Sequence, residues 1–203
     1  MSQNMPRTDL RVRRTHKALR DALIDLIIAK GFNAISVRDL TERAMVNRAT
    51  FYRHYHDKDD LLERTIAGIL DELTSTPTPR DAGEPSATEA LRAWIHVLEH
   101  VAGHATLYRT MLGPRGSPAF AALVRDYLER LLRQRLLAAG REQRSSGIPD
   151  DVTVAFAASA FLGTIDRWLE AGMPYPPAQM AGWLAQLFVL GPYRAAGGSA
   201  PAT

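Results

Sequence analysis

The feature that most constrains this chain is a helical hydrophobic period that returns from near one end to the other. Over residues 15–30, Leu19, Ala22, Leu23, Leu26 and Ile27 follow the i, i+3, i+4, i+7, i+8 spacing of a single helix face. No strand-like alternation competes with it and no internal repeat interrupts it, so the pattern predicts an all-α fold. The breaks are explicit. Gly31 supplies a stop for the first helix. Ser36 with Asp39 three residues on is a capping-box-like start for a short second helix over 36–44. Asn47 is a good N-cap for a third helix through Arg53, and Asp57 can cap a fourth over 58–74. Residues 76–87, with three Pro and one Gly, read as an internal linker. Beyond it the period predicts helices over 88–103, 105–112, 117–139, 150–172 and 177–190, punctuated by Gly113-Pro114 and Gly172-Met173-Pro174. Ser117 before Pro118 fits a cap followed by proline at the first helical position.

At 203 residues the chain can form one large domain or two small ones, and 46% apolar with 23% charged residues is ordinary globular composition. It has no Cys, which removes disulfides, thiolate nucleophiles and cysteine-based zinc sites and is compatible with a reducing compartment. Residues 1–10 are polar and without period, an expected flexible arm free to touch DNA, and they lack the apolar stretch of a secretory signal. The uncharged run 152–165 is fourteen residues, short of the roughly 20 needed to cross a bilayer, and reads as a buried helix. The expected location is the cytoplasm, with no membrane partner. Charge is unevenly placed: residues 1–58 carry a net +6 and the rest a net −3. The basic end is the candidate for nucleic acid, the alternative being a solvated basic face.

Two short helices joined by a tight turn, the second offering exposed polar and basic residues, have the geometry that lays a helix in the DNA major groove. Residues 36–44 would cross the backbone and 47–53 would enter the groove, with Leu40, Val46 and Phe51 joining them from inside. The stretch Ile35-Ser36-Val37-Arg38-Asp39-Leu40, Asn47-Arg48-Ala49-Thr50-Phe51-Tyr52-Arg53-His54-Tyr55, Asp57-Lys58 and Leu61-Leu62 resembles the signature of the TetR family of transcriptional regulators, over residues 11–62. Met45 departs from it, standing where that family usually carries Gly.

The resemblance implies a three-helix DNA-binding domain with a helix-turn-helix over 11–57. It also implies a C-terminal helical bundle over 58–203 that binds an effector and dimerises, joined through the helix 58–74. It assigns base reading to Arg48, able to pair with guanine, and Ala49, able to touch a thymine methyl. It assigns phosphate contacts, which set register without reading sequence, to Ser36, Arg38, Thr50, Tyr52, His54 and Lys58. Lys58 also begins a helix, whose amides favour an anion. The alternative for Tyr52 is a packed aromatic and for His54 a solvent-facing imidazole; Tyr55 reads as core.

In the C-terminal half, Phe161, Leu162, Ile165 and Leu169, then Met180, Trp183, Leu184 and Leu187, form a sticky helix pair, with Ala157, Ala160 and Gly163 permitting close approach. The resemblance gives this pair to a second subunit; the other reading is an intrachain core. Trp168-Leu169-Glu170 and Gly172-Met173-Pro174-Tyr175 resemble a C-terminal pattern in some branches of the family. Trp94, His100, Tyr108, Met111, Phe120, Tyr127, Phe156 and Trp168 are candidates to line a cavity for an unidentified small molecule, although a bundle core needs such residues anyway.

His96, His100 and His104 share one helix face, drifting about 40° per step. Two imidazoles four apart can bind a metal. Beside them stands only Glu99, which points elsewhere, and there is no zinc-protease signature, so the stripe reads as polar or pocket-lining. No metal or cofactor is expected. A helical metal enzyme built on that stripe is the weakest alternative, since nucleophile, base and orienting group are not assembled. An effector-independent or architectural DNA-binding factor is the nearer one. The expected function is thus a homodimeric regulator, in the family most often a repressor, released from double-stranded operator DNA when a small molecule shifts the 58–74 helix.

Overall fold

The structure, a computed structural model, describes residues 7–74, 87–113, 116–138 and 148–190. The expected linker over 76–87 lies outside these but for Ala87, as do residues 1–6 of the expected arm. The described residues form α1 (Arg7–Lys30), a 3-10 turn (Phe32–Ala34), α2 (Val37–Arg43), α3 (Arg48–His54) and α4 (Lys58–Thr74). They continue with α5 (Ala87–Gly103), α6 (Ala105–Leu112), α7 (Pro118–Ala138), α8 (Asp150–Glu170) and α9 (Pro177–Leu190), and no strand occurs among them. The all-α expectation holds, and the ends of α4, α6 and α9 fall where spacing and caps put them.

The chain divides into two compact units. The first runs up to Ile69 and includes Thr106–Leu123; the second comprises Leu70–Ala105 and everything from Val124 on. Helices α4 and α7 therefore contribute to both.

In the first unit, Leu19, Leu23 and Ile27 of α1, Phe32, Leu40 of α2, Phe51 of α3 and Leu61 and Leu62 of α4 are all essentially inaccessible to water, and α2 packs on both α1 and α3. Each such side chain contributes roughly 1.5–3 kcal/mol relative to its exposed state. Gly31 ends α1 with φ 80° and ψ 152°, a region open essentially to glycine alone. Helix α1 starts eight residues ahead of the first residue whose spacing marked it, and none of residues 10–14 there is buried, which is why apolar spacing did not reveal them.

The α2 start is a complete capping box: the Asp39 amide donates to Ser36 Oγ, while the Ser36 amide donates to the Asp39 carboxylate at 2.7 Å. Its end is a Schellman closure. The Met45 amide donates to the Glu42 carbonyl at 3.2 Å and the Val46 amide to the Thr41 carbonyl at 3.0 Å. That closure needs a left-handed residue at Met45, which takes φ 52°. Here lies the reason glycine suits this turn position. Met45 meets the same geometry with its side chain 93% exposed, so it gains no packing in exchange for the strain.

In the second unit α5 packs on α9. Helix α8 buries Val154, Ala158, Phe161, Ile165, Trp168 and Leu169 along one face. By length and composition alone α8 could cross a bilayer, being longer than the uncharged run at its centre and carrying Asp150, Asp151, Asp166, Arg167 and Glu170 toward its ends. It closes on Gly172, φ 77°, with the Met173 amide donating to the Trp168 carbonyl at 2.8 Å.

The left-handed Met45 yields a stability prediction. Removing its Cβ relieves about 1–2 kcal/mol of strain, partly offset by the extra freedom glycine gives the unfolded chain. Met45→Gly should therefore stabilise by about 0.5–1 kcal/mol, read as a higher denaturant midpoint at unchanged m-value; an equal or lower midpoint would show the turn unstrained.

Candidate nucleic-acid interface

Helix α3 has seven residues and one deep anchor. Phe51 is fully buried and Tyr55, just past the helix end, nearly so, which turns Arg48, Ala49, Tyr52 and Arg53 outward. Asn47 Oδ1 accepts from the Ala49 amide at 2.8 Å and fixes the first turn. Arg48 and Tyr52, one turn apart, meet: Arg48 Nη2 donates to Tyr52 Oη at 3.3 Å with the guanidinium 5.6 Å from the ring centre. The side chain expected to read a base is thus held along the outer face of α3. Thr50 is half-buried on the same helix.

Helix α2 is fastened to α1 by Arg43, which bonds Asp25 at 2.6 Å, and by the Lys30–Asp39 pair at 2.9 Å. Ser36 and Arg38 are exposed at its start. The Ser36 hydroxyl is engaged with Asp39 at 2.6 Å and the Arg38 guanidinium with Glu42 at 2.7 Å. Hydrogen bonds from the Ser36 side chain, from Lys30 and from the Ser36 amide hold the Asp39 carboxyl far below the usual carboxylate range.

His54 touches the His16 ring of α1 edge-on at 4.8 Å, and His16 Nδ1 lies 2.7 Å from Tyr55 Oη. Burial, then the neighbouring His54 and Arg64, push the His16 pKa down, favouring the neutral imidazole.

Lys58 is placed differently from what its motif position led one to expect. Its ammonium donates to the Phe32, Asn33 and Ile35 carbonyls at 3.1, 3.4 and 3.0 Å and sits 4.6 Å from the Phe32 ring centre. It ties α4 to the loop between α1 and α2, an engagement spacing could not show because the carbonyls lie more than twenty residues away. On the other side of that loop, Asn33 Nδ2 donates to the Gly116 carbonyl at 2.8 Å. A Cβ at Gly116 would collide with the Met111 backbone, so only glycine fits there.

The candidate pocket residues are not gathered in one unit. Tyr108 and Phe120 lie buried in the first, their rings 6.2 Å apart, with burial pushing the Tyr108 hydroxyl up to about 12. Trp94, His100, Tyr127, Phe156 and Trp168 belong to the second. There Trp94 packs on Phe161 at 4.5 Å, Trp168 Nε1 donates to the Tyr175 carbonyl at 3.0 Å, and Tyr127 Oη donates to the Leu70 carbonyl at 2.9 Å. Phe156 is 61% exposed. His100 stacks on His104 at 4.4 Å, and no group of three or more metal-ligating side chains occurs among the described residues.

Of the candidate interface residues, Phe161, Ile165, Leu169 and Leu184 are buried within this one chain, Leu162 is half-buried, and Trp183 and Leu187 are exposed. The structure adds Val152 and Phe156 to the exposed apolar residues of α8.

Comparison with known proteins matches residues 19–65 to a family described as bacterial regulatory proteins, tetR family, and residues 89–189 to a transcriptional regulator C-terminal region. The HTH-type transcriptional regulator YxbF of Bacillus subtilis is 28% identical over 179 residues, covering 85% of this chain and 44% of that protein. YdeS of the same organism is 41% identical over 66 residues, 32% of this chain and 30% of its own length. The chain thus matches less than half the length of either relative. Among solved structures, a TetR transcriptional regulator from Streptococcus agalactiae superposes with TM-score 0.68 at 25% identity, covering 89% of this chain and 97% of that one. A TetR-family regulator from Syntrophomonas wolfei shares the fold with TM-score 0.71 at 16% identity, covering 94% and 99%.

The depressed Asp39 pKa makes the α2 cap pH-dependent. The unfolded carboxyl titrates near about 3.9. Its stabilisation is fully present above that value and disappears as pH falls through the lower folded pKa. Asp39→Asn should therefore be less stable than the wild type at neutral pH, the gap closing as acid unfolding is approached; a pH-independent gap would contradict the assignment.

Proposed function

The chain belongs to the TetR family of bacterial transcriptional regulators, and from that premise we propose that it binds double-stranded operator DNA as a homodimer and leaves it when a small-molecule effector binds. The observation that carries this is the mounting of α3: buried from inside by Phe51, capped by Asn47, and offering Arg48 and Ala49 on its free face. A guanidinium already aligned along the helix surface gives up little freedom on pairing with a guanine edge. Ser36, Arg38, Thr50, Tyr52 and His54 supply the phosphate contacts, and Lys58 adds its charge at the start of α4 while its donors hold the loop. The work is binding, not catalysis, and it is done in the cytoplasm.

For the second subunit we assign α8 and α9. Val152, Phe156, Trp183 and Leu187 leave apolar surface exposed on the two helices. Gly163 and Gly182 lie on the same helices, and a Cβ at either would meet nothing within 4 Å of its own chain. A helical glycine costs about 1 kcal/mol relative to alanine, and close approach by another helix would account for it. A two-fold pair would present α3 to half-sites roughly 34–36 Å apart or a multiple of that. An effector in the C-terminal half, with Trp94, His100, Tyr127 and Trp168 of the second unit as its candidate contacts, would change that spacing through α4 and so weaken operator binding. Repression is the commoner outcome of such release in the family.

Arg48→Ala should weaken binding to a selected operator by about 1–3 kcal/mol and relax preference at one base pair. Gel shifts over operator variants read it, and unchanged discrimination would refute the assignment. Replacing Phe156 and Trp183 together by Glu should convert a micromolar dimer to monomer in sedimentation while retaining helical content; a dimer that persists would move the interface elsewhere.

A further inference from the structure

The histidine stripe at the end of α5 has no part in reading DNA. Spacing alone leaves it without a chemistry; its hydrogen bonds supply one. The His104 amide donates to the His100 carbonyl at 3.1 Å, so the helical i, i+4 relation between the two residues is intact. His104 Nδ1 meets the same carbonyl at 2.9 Å. A carbonyl oxygen only accepts, so Nδ1 carries the hydrogen, and in the neutral ring the lone pair stands on Nε2. Metal-ligating imidazoles are commonly held this way, a backbone carbonyl on one nitrogen fixing the tautomer and leaving the other for the ion.

His100 lies against that ring. The two imidazoles are nearly parallel, with 28° between their planes and their centres 4.4 Å apart. His104 is exposed and His100 half-buried, and both belong to the second unit. An ion held about 2.0–2.1 Å from each of two nitrogens needs those nitrogens about 3 Å apart. Rings this close meet that need once one of them turns about its Cβ–Cγ bond. Two histidines four apart on one helix face are also the spacing that zinc-binding helices use. No third ligand joins them among the described residues, so water would complete the shell and the site would stay open. His96, one turn earlier on α5, is exposed.

We propose that His100 and His104 form a binding site for a divalent transition-metal ion of the zinc, nickel and copper class, with His104 Nε2 as the better fixed ligand. Imidazole nitrogens select such ions over Mg²⁺ and Ca²⁺, which take oxygen ligands. The proposal does not depend on the DNA-binding reading.

The test is titration of the full chain with Zn²⁺ and Ni²⁺, with Mg²⁺ as the control ion, followed by calorimetry and by nitrogen NMR of the imidazoles. One Zn²⁺ or Ni²⁺ should bind per chain, and Mg²⁺ should not. His104→Ala and His100→Ala should each weaken binding by at least about tenfold. The thermal midpoint of the metal-free protein should stay as it is, since neither side chain is fully buried. Zn²⁺ should shift the His104 Nε2 resonance while Nδ1 keeps its proton. This readout uses the unaltered chain, so it decides the matter even where a variant fails to fold. His16→Gln with His54→Gln, which removes the imidazole pair of the first unit, should bind as the wild type does. Binding that survives both alanine substitutions, or that vanishes with His16 and His54, overturns the proposal, as does coordination through His104 Nδ1. Absence of saturable binding overturns it too, and several equal weak sites per chain would mean an adventitious ion only.

Discussion

A seven-residue helix does not hold together in water, so α3 exists only because Phe51 is fully buried and because Asn47 closes its first turn. That one burial decides the rest. With Phe51 inward, 3.6 residues per turn forces Arg48, Ala49 and Tyr52 onto the free surface. The same core holds α2 across α3, and Arg43–Asp25 and Lys30–Asp39 fasten α2 to α1 at the rim. As exposed ion pairs these add little energy, so they serve orientation more than stability.

The loop between α1 and α2 is the second fixed point. Its 3-10 turn leaves carbonyls that need donors, and Lys58 supplies them from the first residue of α4, while Asn33 bonds the Gly116 carbonyl beyond α6. Within the first unit the start of α4, the Phe32–Ile35 backbone and the loop before α7 are therefore one hydrogen-bonded assembly. A displacement of α4 would pull on the loop that leads directly into α2. In a TetR-family regulator released by an effector, this is where movement of α4 would reach the DNA-reading helices.

Much of this was legible in residue spacing. The capping pairs Ser36/Asp39 and Asn47, and the glycines and prolines between helices, mark element ends to within a residue or two, because caps are local chemistry. Two kinds of feature were not legible. Residues 10–14 of α1 are not buried, so apolar period is silent about them, and the engagement of Lys58 depends on carbonyls far away in sequence. In α8 and α9 apolar residues run nearly all the way round, and such helices do not declare which face turns inward. Phe161, Ile165, Leu169 and Leu184 proved to be intrachain core, and Phe156, named for a pocket, faces out with Val152, Trp183 and Leu187. The candidate pocket aromatics divide between two units for the same reason: bulk and aromaticity say buried, not with whom.

Whether α3 acts as a reading head, presented twice about a two-fold axis, is open to one direct experiment: enrichment of random-sequence duplexes by the full chain. A dimeric reader should select an inverted repeat whose half-site centres are one helical turn or a multiple apart. Recovery of no enriched sequence, or of a single unrepeated site, would contradict it.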